Sequence, residues 1–403
     1  MTHVVHTERL LREGVIDAAQ AAEIARRSRE TMVALAVNSV LCVGIVAATL
    51  GLIFWLGSAG AVAFAGTIFL IAGAAVLLKG GEIYRMLGNA SALIGAGMMI
   101  GGAGVEAVRL YAENADVFLM IAGAVVAGGA FVVFRQGSAT LRFVSGATML
   151  LGGAMHLAGV GFAMSDATGL EAAAVNGYAF LLLLAAGVLL DVRLVTALAI
   201  VPFAQMLDTG TDYFHAMYVF YSPESTLTIL QMMALTAICI VVMRQGRERF
   251  ARHAGILAIL AVVVGNLAFL VGSLWGDQVG ASLSLDGPMW TEGMEWSDYE
   301  AKVEAWEAQF LYISENVFSL VWAALLAAGA FWAAHANRRG LFNAAITFGA
   351  IHGYTQVFET MGDEPMAWAL GGLALIPLAW GMWRLNRYLS ERQEPGQGPA
   401  LAA

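Results

Sequence analysis

A succession of apolar runs, each about 20 residues long and parted by short polar turns, constrains this chain more than any other feature. A helix crosses the ~30 Å hydrocarbon core of a bilayer with about 20 predominantly apolar residues. Windows of that kind fall near 32–57, 60–78, 87–108, 116–134, 141–164, 171–190, 193–212, 225–243, 254–275, 313–335, 341–360 and 366–385. The residues are 59% hydrophobic and only 13% charged, against about 25% charged in water-soluble domains, so the surplus apolar surface needs lipid. The sequence therefore predicts an all-α, polytopic membrane helix bundle of about twelve transmembrane helices. The narrowest divisions between spans are at residues 58–60 and at Asp191–Arg193.

Charge supplies the orientation. With the N-terminus in the cytoplasm, alternating spans place 19 of the 21 basic residues on that side and 20 of the 30 acidic residues on the other. Only Arg109 and Lys302 stray. One span more or fewer would mix these populations, so the positive-inside rule predicts both the count and cytoplasmic N- and C-termini. The first thirty residues are polar and carry no secretory signal, so the first span is expected to act as the insertion signal. Cys42 and Cys239 both lie inside apolar runs, which leaves no disulfide framework. No Walker loop, dinucleotide fingerprint, HExxH or GxSxG is present, so energised transport by this chain alone and most hydrolase chemistry lack support.

The chain divides into a helix pair at 1–31, a transmembrane domain at 32–385 and a tail at 386–403. In the pair, TERLLRE stops at Gly14, and Asp17 with Gln20 forms a capping box for a second short helix. The string IAGAAVLLKGG at 71 recurs as IAGAVVAGGAFVVFRQG at 121, and Gly101–Gly102 recurs as Gly152–Gly153. Such pairs of spans are either parallel hairpin repeats or a compositional likeness among glycine-rich helices. Small residues four apart, such as Gly97 and Gly101, let helices pack closely. The long loop near 276–312 ends in an amphipathic helix near 297–312, opened by a Ser297–Glu300 capping box. Tyr299, Val303, Trp306 and Phe310 share its apolar face, with Trp290 and Trp296 as headgroup anchors. The sharper alternative is a lid over an outward-facing cavity.

Polar groups inside a bilayer are costly and are the functional candidates by default. Near the outer end of the third span stand Glu106, Arg109 and Glu113. The seventh carries Gln205, Asp208, Asp212 and His215, and the eleventh carries His352, Gln356 and Glu359. Each set falls on one helical face, and the last two share a spacing of zero, four and seven. His156 lies at similar depth. Together these residues would form a polar vestibule open to the outside, or else serve as interhelical hydrogen-bond glue. No metal site is expected, since Asp208, Asp212 and His215 match no recognised ligand spacing. His156 and His352 as opposed haem ligands is the remotest reading.

LLREGVIDAAQAAEIARRS before the first span, and HGYTQVFETMGDEPMAWALGGLALIPLAW near the end, resemble a family of bacterial membrane proteins known as domain of unknown function 2157. That family pairs a short cytosolic helical segment with many small-residue-rich spans. The resemblance implies a multi-pass protein of a bacterial inner (cytoplasmic) membrane and carries no activity. Three functional expectations follow: a permease for a small solute or ion, a non-transporting scaffold of an envelope complex, and a membrane enzyme or haem carrier. The expected partners are the lipid bilayer, a small solute or ion, and a cytoplasmic or envelope protein, with no nucleic acid and no cofactor.

Overall fold

The computed structural model describes residues 7–361 except 57, 81–83, 215–216, 246, 282, 285–286, 289 and 292, together with scattered helical positions between 366 and 387. The chain divides into two compact units, Met1–Ser165 and Asp166–Ala403.

In the first unit, α1 (Thr7–Arg12) stops where Gly14 turns left-handed at φ 68°. The amides of Gly14 and Val15 then reach back to the carbonyls of Leu11 and Leu10, satisfying two groups the helix end leaves open. The capping box is present, with the Gln20 amide on Asp17 Oδ1 at 2.7 Å and the Asp17 amide on Gln20 Oε1 at 3.1 Å. It opens α2 (Ala18–Leu56), which runs unbroken for 39 residues. The expected second short helix is thus continuous with the first span, because no Gly or Pro interrupts the chain before Gly44.

Two antiparallel hairpins follow, α3 (Ala59–Lys79) with α4 (Arg85–Leu110) and α5 (Ala115–Gln136) with α6 (Arg142–Ala163). Ser58 caps α3, its Oγ accepting from the Ala61 amide. Glycines set the register of both hairpins. A methyl on Gly66 would stand 2.4 Å from the Met99 nitrogen, and one on Gly123 would stand 2.3 Å from the His156 nitrogen. Gly95 against Leu70 matches Gly152 against Ala127, and Gly102 against Ala63 matches Gly159 against Met120. Every matched position is 57 residues on, as 66 to 123 and 99 to 156. The end caps follow the same offset, with the Gly80 amide on Val76 O and the Gly137 amide on Val133 O. The sequence match between residues 71 and 121 is therefore out of structural register, because backbone approach sets the register and a string of small residues does not.

The second unit contains α7 (Gly169–Leu190), α8 (Arg193–Leu198), α9 (Ile200–Gln205), a hairpin of β1 (Gly210–Phe214) and β2 (Met217–Tyr221), α10 (Ser225–Arg244) and α11 (Glu248–Trp275). The strand β3 (Asp277–Val279) pairs antiparallel with β4 (Leu311–Ile313) and ties off the long loop around α12 (Trp296–Glu307). Helices α13 (Glu315–His335) and α14 (Arg339–Met361) follow. The core between α9, α10 and α11 consists of Ile200, Ala204, Met232, Leu235, Cys239, Ala254, Leu257 and Ala261.

Two expectations are corrected in this unit. The seventh segment is not one continuous helix over 193–212: its helix breaks at Ala199 and ends at Gln205, and Gly210–Phe214 pairs with Met217–Tyr221 as a β-hairpin. Pro202 has no amide proton and its ring crowds the Leu198 carbonyl, which places the break one turn earlier. The loop helix starts at Trp296, with Glu295 at the cap position and no side-chain cap, so the Ser297 box does not form. Pairing of β4 with β3 draws the chain out of the helix after Glu307. Phe310 lies beyond the helix end, with its ring 5.0 Å from that of Trp306.

Among the described residues eight helices are long and apolar enough to cross a membrane: α3, α4, α5, α6, α7, α10, α11 and α13. In α7 protein buries only 11% of the most apolar stretch. Phe64, Ile121, Leu181 and Leu320 each expose more than 60% of their surface. Burying one such side chain is worth about 1.5–3 kcal/mol, so helices clad in them are stable only in lipid. The chain is a multi-pass helical integral membrane protein.

Candidate functional site

In the first unit, Glu106 and His156 each join the two helices of one hairpin. Glu106 Oε2 accepts from the Gly60 amide at 3.1 Å, placing a carboxylate at the α3 N-terminus, where the helix dipole favours it. His156 Nδ1 lies 2.8 Å from Met120 O and donates to it, joining α6 to α5. At the position matched to Glu106 the second hairpin has Ala163, and at that matched to Ala59 it has Asp116. The acid at the helix N-terminus thus comes from the partner helix in one hairpin and from the helix itself in the other. Arg109 is exposed in the last turn of α4. Glu113 is not on its helical face, because α4 ends at Leu110 and Glu113 falls in a 3-10 turn at Ala112–Asn114.

In the second unit, Asp208 and Asp212 of the expected zero-four-seven stripe do not lie on a helix. Asp208 sits in the turn after α9, left-handed at φ 54°, and is exposed. Asp212 is on β1 opposite Val219, and its Oδ1 accepts from the Tyr213 amide. His215 lies outside the described residues. Asp208 lies in the turn before the strand that carries Asp212, so the spacing of four does not stack these groups one helical turn apart. Gln205 remains at the helix end, where its carbonyl accepts from Asn176 Nδ2 (3.3 Å) and its side-chain amide donates to the Tyr221 hydroxyl (3.4 Å).

The eleventh segment holds its form, with His352, Gln356 and Glu359 all on α14. His352 packs on Trp322 with ring centroids 4.8 Å apart, and Trp322 Nε1 donates to Asn266 Oδ1. His352 Nδ1 is buried without a hydrogen-bond partner. The Glu359 side chain is outside the described set.

One buried polar cluster of this unit is not suggested by the spans. Thr209 shares hydrogen bonds with Ser222 (2.9 Å) and Thr228 (2.7 Å), and all three are buried. Beside them, Asp277 Oδ2 accepts from the Thr226 amide in the first turn of α10, while Glu224 Oε2 accepts from the Gly280 amide. The two segments thus cap each other reciprocally. Glu224 is wholly buried and Asp277 is 2% exposed. Oδ1 of Asp277 and Oγ1 of Thr226 are buried with no hydrogen-bond partner. Each acid stands beside the end of an apolar run, and its partner more than 50 positions away cannot be inferred from spacing. Comparison with protein-family models, characterised proteins and solved structures finds no match.

Proposed function

We propose that the chain is a permease for a small solute or ion, of twelve spans with both termini cytoplasmic in a bacterial inner membrane, and that the second unit carries the permeant. One observation carries this reading: the interrupted seventh segment. The helical stretch Arg193–Gln205 measures about 20 Å at 1.5 Å per residue, some 10 Å short of the ~30 Å core. The backbone that continues through 206–209 is irregular. Non-helical backbone at membrane depth is tolerated only where protein buries it or where it lines a water-filled cavity. Transporters place such discontinuous helices at their binding sites. Gln205, Asn176, Tyr221 and Thr209 surround this end, and the buried unpartnered oxygens of Asp277 and Thr226 are groups that a water or an ion satisfies.

The orientation rests on charge segregation. The remaining spans rest on the apolar windows at 32–57, 341–360 and 366–385, with the interrupted segment from Arg193 as the twelfth. Kinship with the domain of unknown function 2157 proteins remains a proposal from the two end segments and adds no activity. The scaffold reading is favoured by the first unit, where Glu106 and His156 are spent on contacts between helices.

The test uses single cysteines in a chain with Cys42 and Cys239 replaced. Ser297→Cys should label with an impermeant thiol reagent in intact cells and Gln245→Cys should not, which fixes the orientation. Met206→Cys should then react with a small hydrophilic thiosulfonate from the Ser297 side, since wet thiols ionise and react readily. An inert Met206→Cys in correctly inserted protein moves the scaffold reading to first place.

A further inference from the structure

At the opposite end of the interrupted segment, α7 stops at Leu190 and only Asp191 and Val192 precede α8. Asp191 is left-handed at φ 57°, a conformation Asp tolerates better than most residues. The tight corner brings α8 against α7, and a methyl on Gly187 would stand 2.7 Å from the Thr196 nitrogen. Three side chains from one face of α11 hold this corner. Arg249 Nη2 donates to Leu189 O at 2.6 Å, Arg252 Nη2 to Asp191 Oδ2 at 2.9 Å, and His253 Nε2 to Asp191 Oδ1 at 2.9 Å. The other imidazole nitrogen, Nδ1, is 2.6 Å from Thr196 Oγ1 on α8.

A carboxylate only accepts, so the hydrogen bond to Asp191 puts the ring proton on Nε2. In the neutral imidazole Nδ1 then accepts the Thr196 hydroxyl. His253 is 1% exposed and Thr196 wholly buried, so these bonds form only while α8 lies against α11. The outer members are different: Arg252 and Asp191 are 29% and 41% exposed, and Glu248 shares Arg252 through Nη1. Water can replace those contacts as they part. Between this corner and the Thr209 cluster, α9 meets α10 and α11 through the apolar core, with Gln231 Nε2 on Phe203 O as a polar link.

We propose that the Asp191–His253–Thr196 clasp is the cytoplasmic gate of the permease. Closed, it pins α8 and α9 to α11 while the Gln205 end is open; parted, it lets that segment swing and the Gln205 end close. This rests on the permease reading above.

The test reads both ends of the segment with impermeant thiol reagents in membranes of known sidedness. Val195→Cys, on buried α8, reports the clasp end, and Met206→Cys reports the other. With the clasp intact, Val195→Cys should react slowly and Met206→Cys fast. Asp191→Asn keeps the backbone tolerance and removes the charge. It should raise the Val195→Cys rate about tenfold and lower the Met206→Cys rate by a similar factor, a population shift between two states. Arg252→Gln, the milder change, should move both rates in the same directions by less, and it serves if Asp191→Asn fails to insert.

Unchanged rates, or both rising together, overturn the gate, since a static brace gives the first and local unfolding the second. A Met206→Cys that is inert even with the clasp intact defeats the permease reading and the gate with it. A reactive Met206→Cys that ignores clasp variants defeats the gate alone.

Discussion

A methyl group added at Gly123 would meet the backbone of His156, and one at Gly66 the backbone of Met99, whereas Gly128 and Gly129 on the same α5 face open space. Gly123→Ala should therefore cost roughly 1–3 kcal/mol through forced separation of the hairpin. Gly128→Ala should be neutral or favourable by up to about 1 kcal/mol of helix propensity. Thermal midpoints of the purified variants decide, and equal midpoints would contradict the packing register. Asp191 gives a pH prediction. The His253 hydrogen bond, with Arg252 beside it, holds its carboxyl below the usual carboxylate range. A depressed value stabilises the folded state above the unfolded pKa of about 3.9. That contribution is lost as pH falls through the lower folded value. The midpoint of the parent should thus drop more steeply below about pH 4 than that of Asp191→Asn; parallel curves would show that the clasp contributes nothing. At this scale the sequence is legible only locally. Asp17 and Gln20 are three apart and declare their capping box, whereas Asp191 and His253 are 62 apart and no spacing rule joins them.

Single helices come through the sequence well because lipid-facing segments need no partner to be recognised. The windows 87–108 and 171–190 correspond to Arg85–Leu110 and Gly169–Leu190. The seventh segment departs from its window for a physical reason: a hydropathy average over 193–212 passes over Pro202, and the window stops short of Tyr213, Tyr218, Val219 and Phe220. Those residues carry a strand signal in their β-branched and aromatic character. If Pro202 makes the break, Pro202→Ala should let α8 and α9 fuse, and amide exchange over Ala199–Phe203 should slow by at least about tenfold, in keeping with the ~3 kcal/mol a helix-interior proline costs. Unchanged exchange would assign the break to the surrounding packing. In the long loop, Trp290, Trp296 and Tyr299 cluster with ring centroids 5.4–5.7 Å apart, and Trp306 packs on Phe310. Replacing Trp306 and Phe310 with serine should speed proteolysis of residues 276–312 while leaving the spans inserted. Resistance equal to the parent would mean these aromatics do not anchor the loop.

Across the whole molecule the polar residues divide by role. Those of the first unit close hydrogen bonds between paired helices, in two hairpins that repeat the same contacts. In the second, Gln205, Asn176, Tyr221 and Thr209 stand at the end of an interrupted helix, and His352 packs on Trp322. That difference was not legible from the sequence, where Glu106, His156, Asp208 and His352 looked alike as polar residues at similar depth. The separation lies in what each group touches: for Glu106 a backbone amide, for His156 a backbone carbonyl, for Asp208 the end of α9 through its own amide on Gln205 O, and for His352 an aromatic ring with one nitrogen left unpartnered. On the permease reading proposed above, the end of this interrupted segment is both within the membrane and wet. A nitroxide attached at Asp208→Cys in lipid nanodiscs tests it by collision with a water-soluble nickel chelate and with oxygen, compared against labels at lipid-facing Met233→Cys and at Ser297→Cys in the loop. The expected result is nickel collisions well above those at Met233 together with slower label motion than at Ser297. Oxygen-dominated collisions like those at Met233, or free motion like that at Ser297, would contradict it.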